Sequence, residues 1–73
     1  MRLDVFGRDL EVVRDGDRWR VLYLGGEGKK RPAPELVVPA QLREDEVIGY
    51  LADLCHEWAR PGHDTVRRID RPE

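Results

Sequence analysis

Over residues 1–24 apolar and polar side chains alternate with a period of two, and two glycine-containing breaks divide the run into three segments. That alternation is the signature of strands with one buried face. Gly7-Arg8 suits a two-residue II′ hairpin turn, because glycine takes the positive φ of the first position at no steric cost. Closing there pairs Leu3 with Val12 and Val5 with Leu10. Asp15-Gly16 is a second two-residue signal, of type I′; it pairs Val12 with Trp19 and Leu10 with Val21. The two registers agree. Leu3, Val12 and Trp19 fall in one row and Val5, Leu10 and Val21 in another, all on one face. Arg2, Asp4, Glu11, Arg18 and Arg20 take the opposite face. A slip of one residue would bury those charges, so the register reads as well specified.

After Leu24 the pattern stops. GGEGKKRPAP is rich in Gly, Lys and Pro and reads as a loop. The short apolar run Leu36-Val37-Val38 reads as a fourth strand at a sheet edge, limited by Pro34 and Pro39. From Glu44 to Arg60 the period becomes helical, with Val47, Ile48, Leu51, Leu54, Cys55 and Trp58 in one arc. Glu44, Asp45 and Glu46 put negative charge at the positive end of the helix dipole, although no Ser, Thr or Asn cap precedes them. Pro61-Gly62 ends the helix. Residues 63–73 alternate Arg and Asp with little apolar content and read as a loosely held tail. The predicted architecture is α+β. A three-stranded antiparallel meander, with a fourth short strand, packs on one C-terminal amphipathic helix in a single domain over 1–60, and 61–73 follow as the tail.

At 73 residues the chain is one domain near the lower size limit for independent folding. Apolar surface left uncovered would favour a weak homodimer or a protein partner. One cysteine excludes an intrachain disulfide, and nothing resembles a signal peptide or a membrane span. The plain expectation is a cytoplasmic, bacterial-type protein without a membrane partner. Net charge is −2, unevenly spread. The helical region carries Glu44, Asp45, Glu46, Asp53 and Glu57 and no base through Ala59, whereas Lys29, Lys30, Arg31 and Arg43 make the preceding region basic.

The familiar chemical motifs fail on inspection. A phosphate-binding P-loop needs G-x-x-x-x-G-K-[ST] running into a helix. Here Tyr23 stands five residues before Gly28, Lys30 replaces the hydroxyl residue, and Pro32 and Pro34 prevent the helix. HEWAR places Arg60 where the second histidine of a zinc-binding H-E-x-x-H must be. Asp53, His56 and Glu57 read as an exposed acidic helix face. Cys55 and His56 are helix neighbours that point about 100° apart and form no dyad. Cys55 reads as a buried structural thiol, and Trp19 and Trp58 read as core. No cofactor, metal or catalytic residue is implied.

Three surfaces remain as candidate contacts. Lys29, Lys30 and Arg31 form a basic loop suited to an anionic partner. Phe6, Leu22 and Leu24 gather as an apolar patch at one end of the outer sheet face. Gly49, Ala52 and His56 line up as a stripe of small residues on the helix. Either the tail folds over this stripe, or a second copy or a partner docks there.

The segments GGEGKKRPAPELVVP and YLADLCHEWA, after an opening VFGRDLEVV, together resemble a family of small single-domain bacterial proteins with no assigned activity. The likeness covers nearly the whole chain up to Trp58. It carries no cofactor, substrate or site residue, and implies only that the domain stands alone.

The leading functional expectation is a small interaction or adaptor module acting by docking and without catalysis. The alternative is a βββα nucleic-acid-binding domain using the outer sheet face and the 25–31 loop. Against it, Asp4, Asp9 and Glu11 lie among the arginines, and acidic neighbours undo phosphate neutralisation. An enzyme ranks last.

Overall fold

The structure, a computed structural model, describes residues 1–69. Strands β1 (Arg2–Val5), β2 (Arg8–Asp15) and β3 (Arg18–Leu24) form the antiparallel meander. A 3₁₀ turn at Gly26–Gly28 leads into β4 (Lys30–Pro32), helix α1 spans Glu44–Leu54, and β5 covers Val66–Arg68. The five strands make one sheet in the order β4-β3-β2-β1-β5.

Both hairpin registers differ from expectation by two residues, which preserves the facing of the residues that stay in the strands but moves Phe6 out of the ladder into the turn. In the first hairpin Leu3 lies opposite Leu10 and Val5 opposite Arg8. The turn is Phe6-Gly7, with positive φ at both residues (52° and 89°), the pattern of type I′. A left-handed phenylalanine costs about 1–2 kcal/mol. Phe6 is buried in the core, and burying such a side chain returns about 1.5–3 kcal/mol. The second turn is Gly16-Asp17, with positive φ at Gly16 alone, which matches type II′. It leaves Asp15 in the ladder opposite Arg18 and places Val12 opposite Val21 and Leu10 opposite Tyr23. The predicted turn types are thus exchanged between the two hairpins.

The fourth strand is formed by Lys30–Pro32, not by residues 36–38. Pro32 stands at the end of β4 opposite Leu22, and Ala33 still donates its N–H to the Val21 carbonyl at 2.9 Å. From there the chain turns onto the helix-side face. Leu36 and Val38 are buried as coil and Val37 points outward, an alternation that mimics a strand in sequence. Trp19 ties this coil down, its indole N–H donating to the Leu42 carbonyl at 3.0 Å.

The helix is shorter than its apolar period. Val47, Leu51 and Cys55 are buried, but Leu54 is 43% exposed. After Leu54 the chain tightens into a 3₁₀ turn, His56–Trp58. His56 Nδ1 lies 2.9 Å from the Asp53 carbonyl, satisfying one of the acceptors a helix end leaves open. At the other end the missing cap is supplied by Glu46, whose carboxylate accepts the Arg43 backbone N–H at 2.8 Å.

The expected loose tail includes a strand. β5 pairs Val66 with Val5, Arg67 with Asp4 and Arg68 with Leu3. Arg67 reaches Asp4 at 3.1 Å and Arg68 reaches Glu44 at 3.4 Å, so the charges that read as solvated bind the strand to the sheet and to α1. Residues 70–73 of the expected tail lie outside the described residues. With both neighbours in place, Leu3 and Val5 are fully buried.

Two glycines should respond oppositely to alanine. Gly7 has φ +89°, and a Cβ there would lie 2.5 Å from His63 Nδ1. Gly7→Ala is expected to cost more than about 1 kcal/mol. Gly49 lies mid-helix with nothing within 4 Å of a Cβ position, so Gly49→Ala is expected to add about 0.5–1 kcal/mol. Urea unfolding of the two variants beside the parent chain checks both signs.

Candidate functional site

On the helix-side face, strand alternation brings Arg8, Leu10 and Val12 of β2 to the same side as Val21 and Tyr23 of β3. Tyr23 stands opposite both Leu10 and Arg31. Beyond the reach of α1, the corner made by Arg8, Tyr23 and Arg31 is met by Trp58 from the 3₁₀ turn and by Glu35 from the coil. The Arg8 guanidinium carbon lies 4.4 Å from the Trp58 ring centroid, and that of Arg31 lies 5.9 Å from the Tyr23 centroid. The two rings are tilted by 34° with centroids 6.4 Å apart. Each cation therefore rests on the negative face of a ring.

Glu35 completes the cluster by accepting the Tyr23 hydroxyl proton in a short hydrogen bond. That bond, reinforced by burial, raises the Tyr23 pKa above its ordinary value. The same bond is the main cause holding the Glu35 carboxyl below its ordinary value, with Arg31 adding to it. Cys55 lies nearby, buried, and burial pushes its thiol pKa up. A thiol so placed is a poor nucleophile at neutral pH.

An open cavity of about 580 Å³ lies against this corner, lined by Gly7, Arg8, Asp9, Tyr23, Leu24, Gly25 and Arg31. Asp9 alternates to the outer sheet face, where it stands opposite Asp4. Among the described residues neither Arg8 nor Arg31 has a carboxylate within ion-pair distance. Other cations do: Arg20 pairs with Asp15 at 3.7 Å, Lys30 with Glu11 at 2.8 Å and Arg43 with Asp45 at 3.5 Å. Arg14 also stacks on a ring, that of Trp19 at 4.6 Å, but it donates to the Ala40 carbonyl.

The candidate residues from the sequence do not converge. Phe6 is in the core, which removes it from an exposed patch and leaves Leu22 and Leu24 half-buried on the outer face. Lys29 is exposed, Lys30 is paired on the outer face, and Arg31 turns to the opposite face beside Tyr23. Gly49 is exposed, Ala52 half-buried and His56 exposed beyond the helix end. The described part of the tail pairs with β1 instead, and nothing in it lies within 4 Å of a Cβ position at Gly49. Among the described residues no three His, Cys, Asp or Glu side chains gather as a metal site. Arg8, Tyr23, Glu35 and Trp58 were missed. One signal was available: by alternation Arg8 and Arg14 fall on the buried face, where a cation needs a ring or a carboxylate to rest on.

The fold is thus a small α+β domain, a five-stranded antiparallel sheet with one helix on one face and an arginine–aromatic corner. Over residues 1–70 the chain matches the family described as a domain of unknown function, DUF7661, and it belongs to that family. The resemblance to a family without assigned activity is borne out to that extent. No curated protein and no solved structure matches the chain. Among the described residues no helix is long and apolar enough to cross a membrane.

The Lys30–Glu11 pair has a definite pH signature. The bond from Lys30 holds the Glu11 carboxyl below its ordinary value of 4.5, against an opposing effect of burial. A carboxyl lowered in the folded state stabilises the protein above its unfolded pKa, and that contribution disappears as pH falls through the folded value. Glu11→Gln is expected to cost roughly 0.5–1 kcal/mol at pH 7. The gap to the parent should close below pH 4.5, as read by urea midpoints at pH 7 and pH 3. A gap independent of pH would assign the cost to packing.

Proposed function

We propose that the chain is a small cytoplasmic interaction module that works by docking and has no catalytic activity of its own. The observation that carries this reading is the arginine–aromatic corner. Arg8 and Arg31 rest on Trp58 and Tyr23 beside one open cavity, with no carboxylate of the described chain paired to either. Arginine, tyrosine and tryptophan are the residues that dominate binding at protein contacts, because they combine area, rigidity and hydrogen-bonding edges. The catalytic alternatives find no support in the same region. The thiol is buried, and His56 is engaged with the backbone of its own turn. A single reduced cysteine suits the cytoplasm.

Nucleic-acid binding by the outer face and the 25–31 loop is the weaker reading. On that face Asp15, Glu11 and Asp4 already hold Arg20, Lys30 and Arg67. Arg31 leaves that face altogether. Arg20, Lys30 and Arg67 are thereby engaged by carboxylates instead of being free to neutralise phosphates.

The test is a paired capture experiment. The parent chain and an Arg8→Glu/Arg31→Glu variant, each shown folded by circular dichroism, are immobilised and exposed to the same lysate of the native cell. The expected result is at least one protein retained by the parent and absent from the variant. The mass of the eluted complex separates a partner from a second copy. An identical retained set on both chains would refute this surface as the point of docking.

A further inference from the structure

We propose that the corner between Arg8 and Arg31 recognises carboxylates, and that the partner presents an acidic segment with at least two of them. This rests on the reading of the chain as an interaction module and names the chemistry of its partner.

The first support is the state of the two guanidinium groups. The guanidinium carbon of each lies over a ring, 4.4 Å from the centroid for Arg8 and 5.9 Å for Arg31. A guanidinium held over a ring keeps its planar N–H fork for other acceptors. That fork matches a carboxylate with two parallel hydrogen bonds. Both groups line the same cavity of about 580 Å³. Arg14, the third arginine over a ring, gives one of its N–H groups to a backbone carbonyl, and Arg20, Lys30 and Arg67 of the outer face are paired with carboxylates.

The second support is that the corner already holds a carboxylate. Glu35 reaches in from the coil, takes the Tyr23 hydroxyl, and is further stabilised by Arg31. The corner is therefore complementary to this group; Glu35 lies on its Tyr23 side, and Arg8 and Arg31 line the cavity with Asp9 at its outer-face rim.

The third support distinguishes carboxylate from phosphate. A phosphate site built on glycines uses free backbone amides as its cradle. At this rim both candidate amides are committed. The Gly7 N–H donates to Asp4 Oδ1 at 2.8 Å and the Gly25 N–H to the Lys29 carbonyl at 2.7 Å. What remains is side-chain forks. The cavity is also open to solvent, so a free small acid would not be enclosed as small-molecule sites enclose their ligands. An acidic stretch of a protein gains further contact from its flanks.

The test uses tryptophan fluorescence of the unaltered chain, in which Trp58 lies at the site beneath Arg8 and Trp19 is held at the Leu42 carbonyl by its indole N–H. The probes are acetyl-hexaglutamate-amide, acetyl-hexaglutamine-amide, succinate and inorganic phosphate at fixed ionic strength. The glutamate peptide is expected to shift the tryptophan emission saturably, with the glutamine peptide silent and succinate at least about tenfold weaker. Arg8→Gln and Arg31→Gln should each weaken the peptide about tenfold, the loss of one charge-assisted pair. Arg18→Gln and Lys29→Gln, on exposed cations elsewhere, should leave it within about twofold. Glu35→Gln should tighten binding, because it removes the competing carboxylate; a merely structural role for Glu35 would not produce that sign.

Succinate binding as tightly as the peptide would overturn the protein partner in favour of a free dicarboxylic acid. Phosphate binding more tightly than either would overturn the carboxylate. Equal losses in Arg18→Gln would reduce the effect to diffuse charge and overturn the site. If the glutamate peptide is silent while capture from lysate still depends on Arg8 and Arg31, the acidic partner is wrong and the docking surface stands.

Discussion

One short helix cannot cover a five-stranded sheet, and the rest of the structure is arranged around that shortfall. Five strands spaced ~4.8 Å apart place the outer two roughly 19 Å from each other, while a helix with its side chains is ~10 Å wide. Helix α1 lies over β1 and β5. The far half of the sheet needs a different cover, and the coil from Ala33 to Leu42 provides it, burying Ala33, Leu36 and Val38. Coil carries unpaired backbone groups, so it must be fastened. The Trp19 indole and the Arg14 guanidinium do this by donating to the Leu42 and Ala40 carbonyls. Where both covers run out, the face is closed by Tyr23 and Trp58 with an arginine on each. The candidate site is thus the point where a small core reaches its limit.

That origin explains why so much of the sheet and so little of the site was legible in the sequence. Facing depends only on parity, and the alternation from Leu3 to Tyr23 specified it for the residues that stay in the strands; Phe6, expected on the outer face, sits in the turn and turns into the core. Row depends on which turn residues take positive φ. Phe6 took a conformation that its type disfavours because its ring gained a place in the core. No local signal announces that exchange. Strand β4, the sequence Lys-Arg-Pro, has no strand propensity of its own and is held by the hairpin from β3 and by the Lys30–Glu11 pair. Strand β5 looked like a solvated tail because its arginines are answered by Asp4 and Glu44, more than twenty residues away in sequence.

The site was harder still, since its five members come from five separate elements. Arg8 opens a strand, Tyr23 is the last but one residue of another, Arg31 sits in a strand the pattern did not show, Glu35 lies in the coil, and Trp58 is aimed by a 3₁₀ turn that replaces the last expected turn of helix. Reading residues 44–60 as one continuous helix put Trp58 into the core arc and so hid it from Arg8. The acidic residues of that stretch, by contrast, are exposed as expected. Their repulsion makes the helix a poor place for another acidic surface, and leaves the arginine corner as the natural point of approach for one.

The pairing of β5 with β1 bears on how the chain is made. The meander is local in sequence and can close as it leaves the ribosome, within the first 24 residues. Its first strand, however, waits for a neighbour more than sixty residues later. Until Val66–Arg68 are released, the nascent domain shows a bare hydrogen-bonding edge beside Leu3 and Val5, a template for pairing with any other chain in reach. The pairing of β5 with β1, rather than collapse of the meander, is what removes that edge.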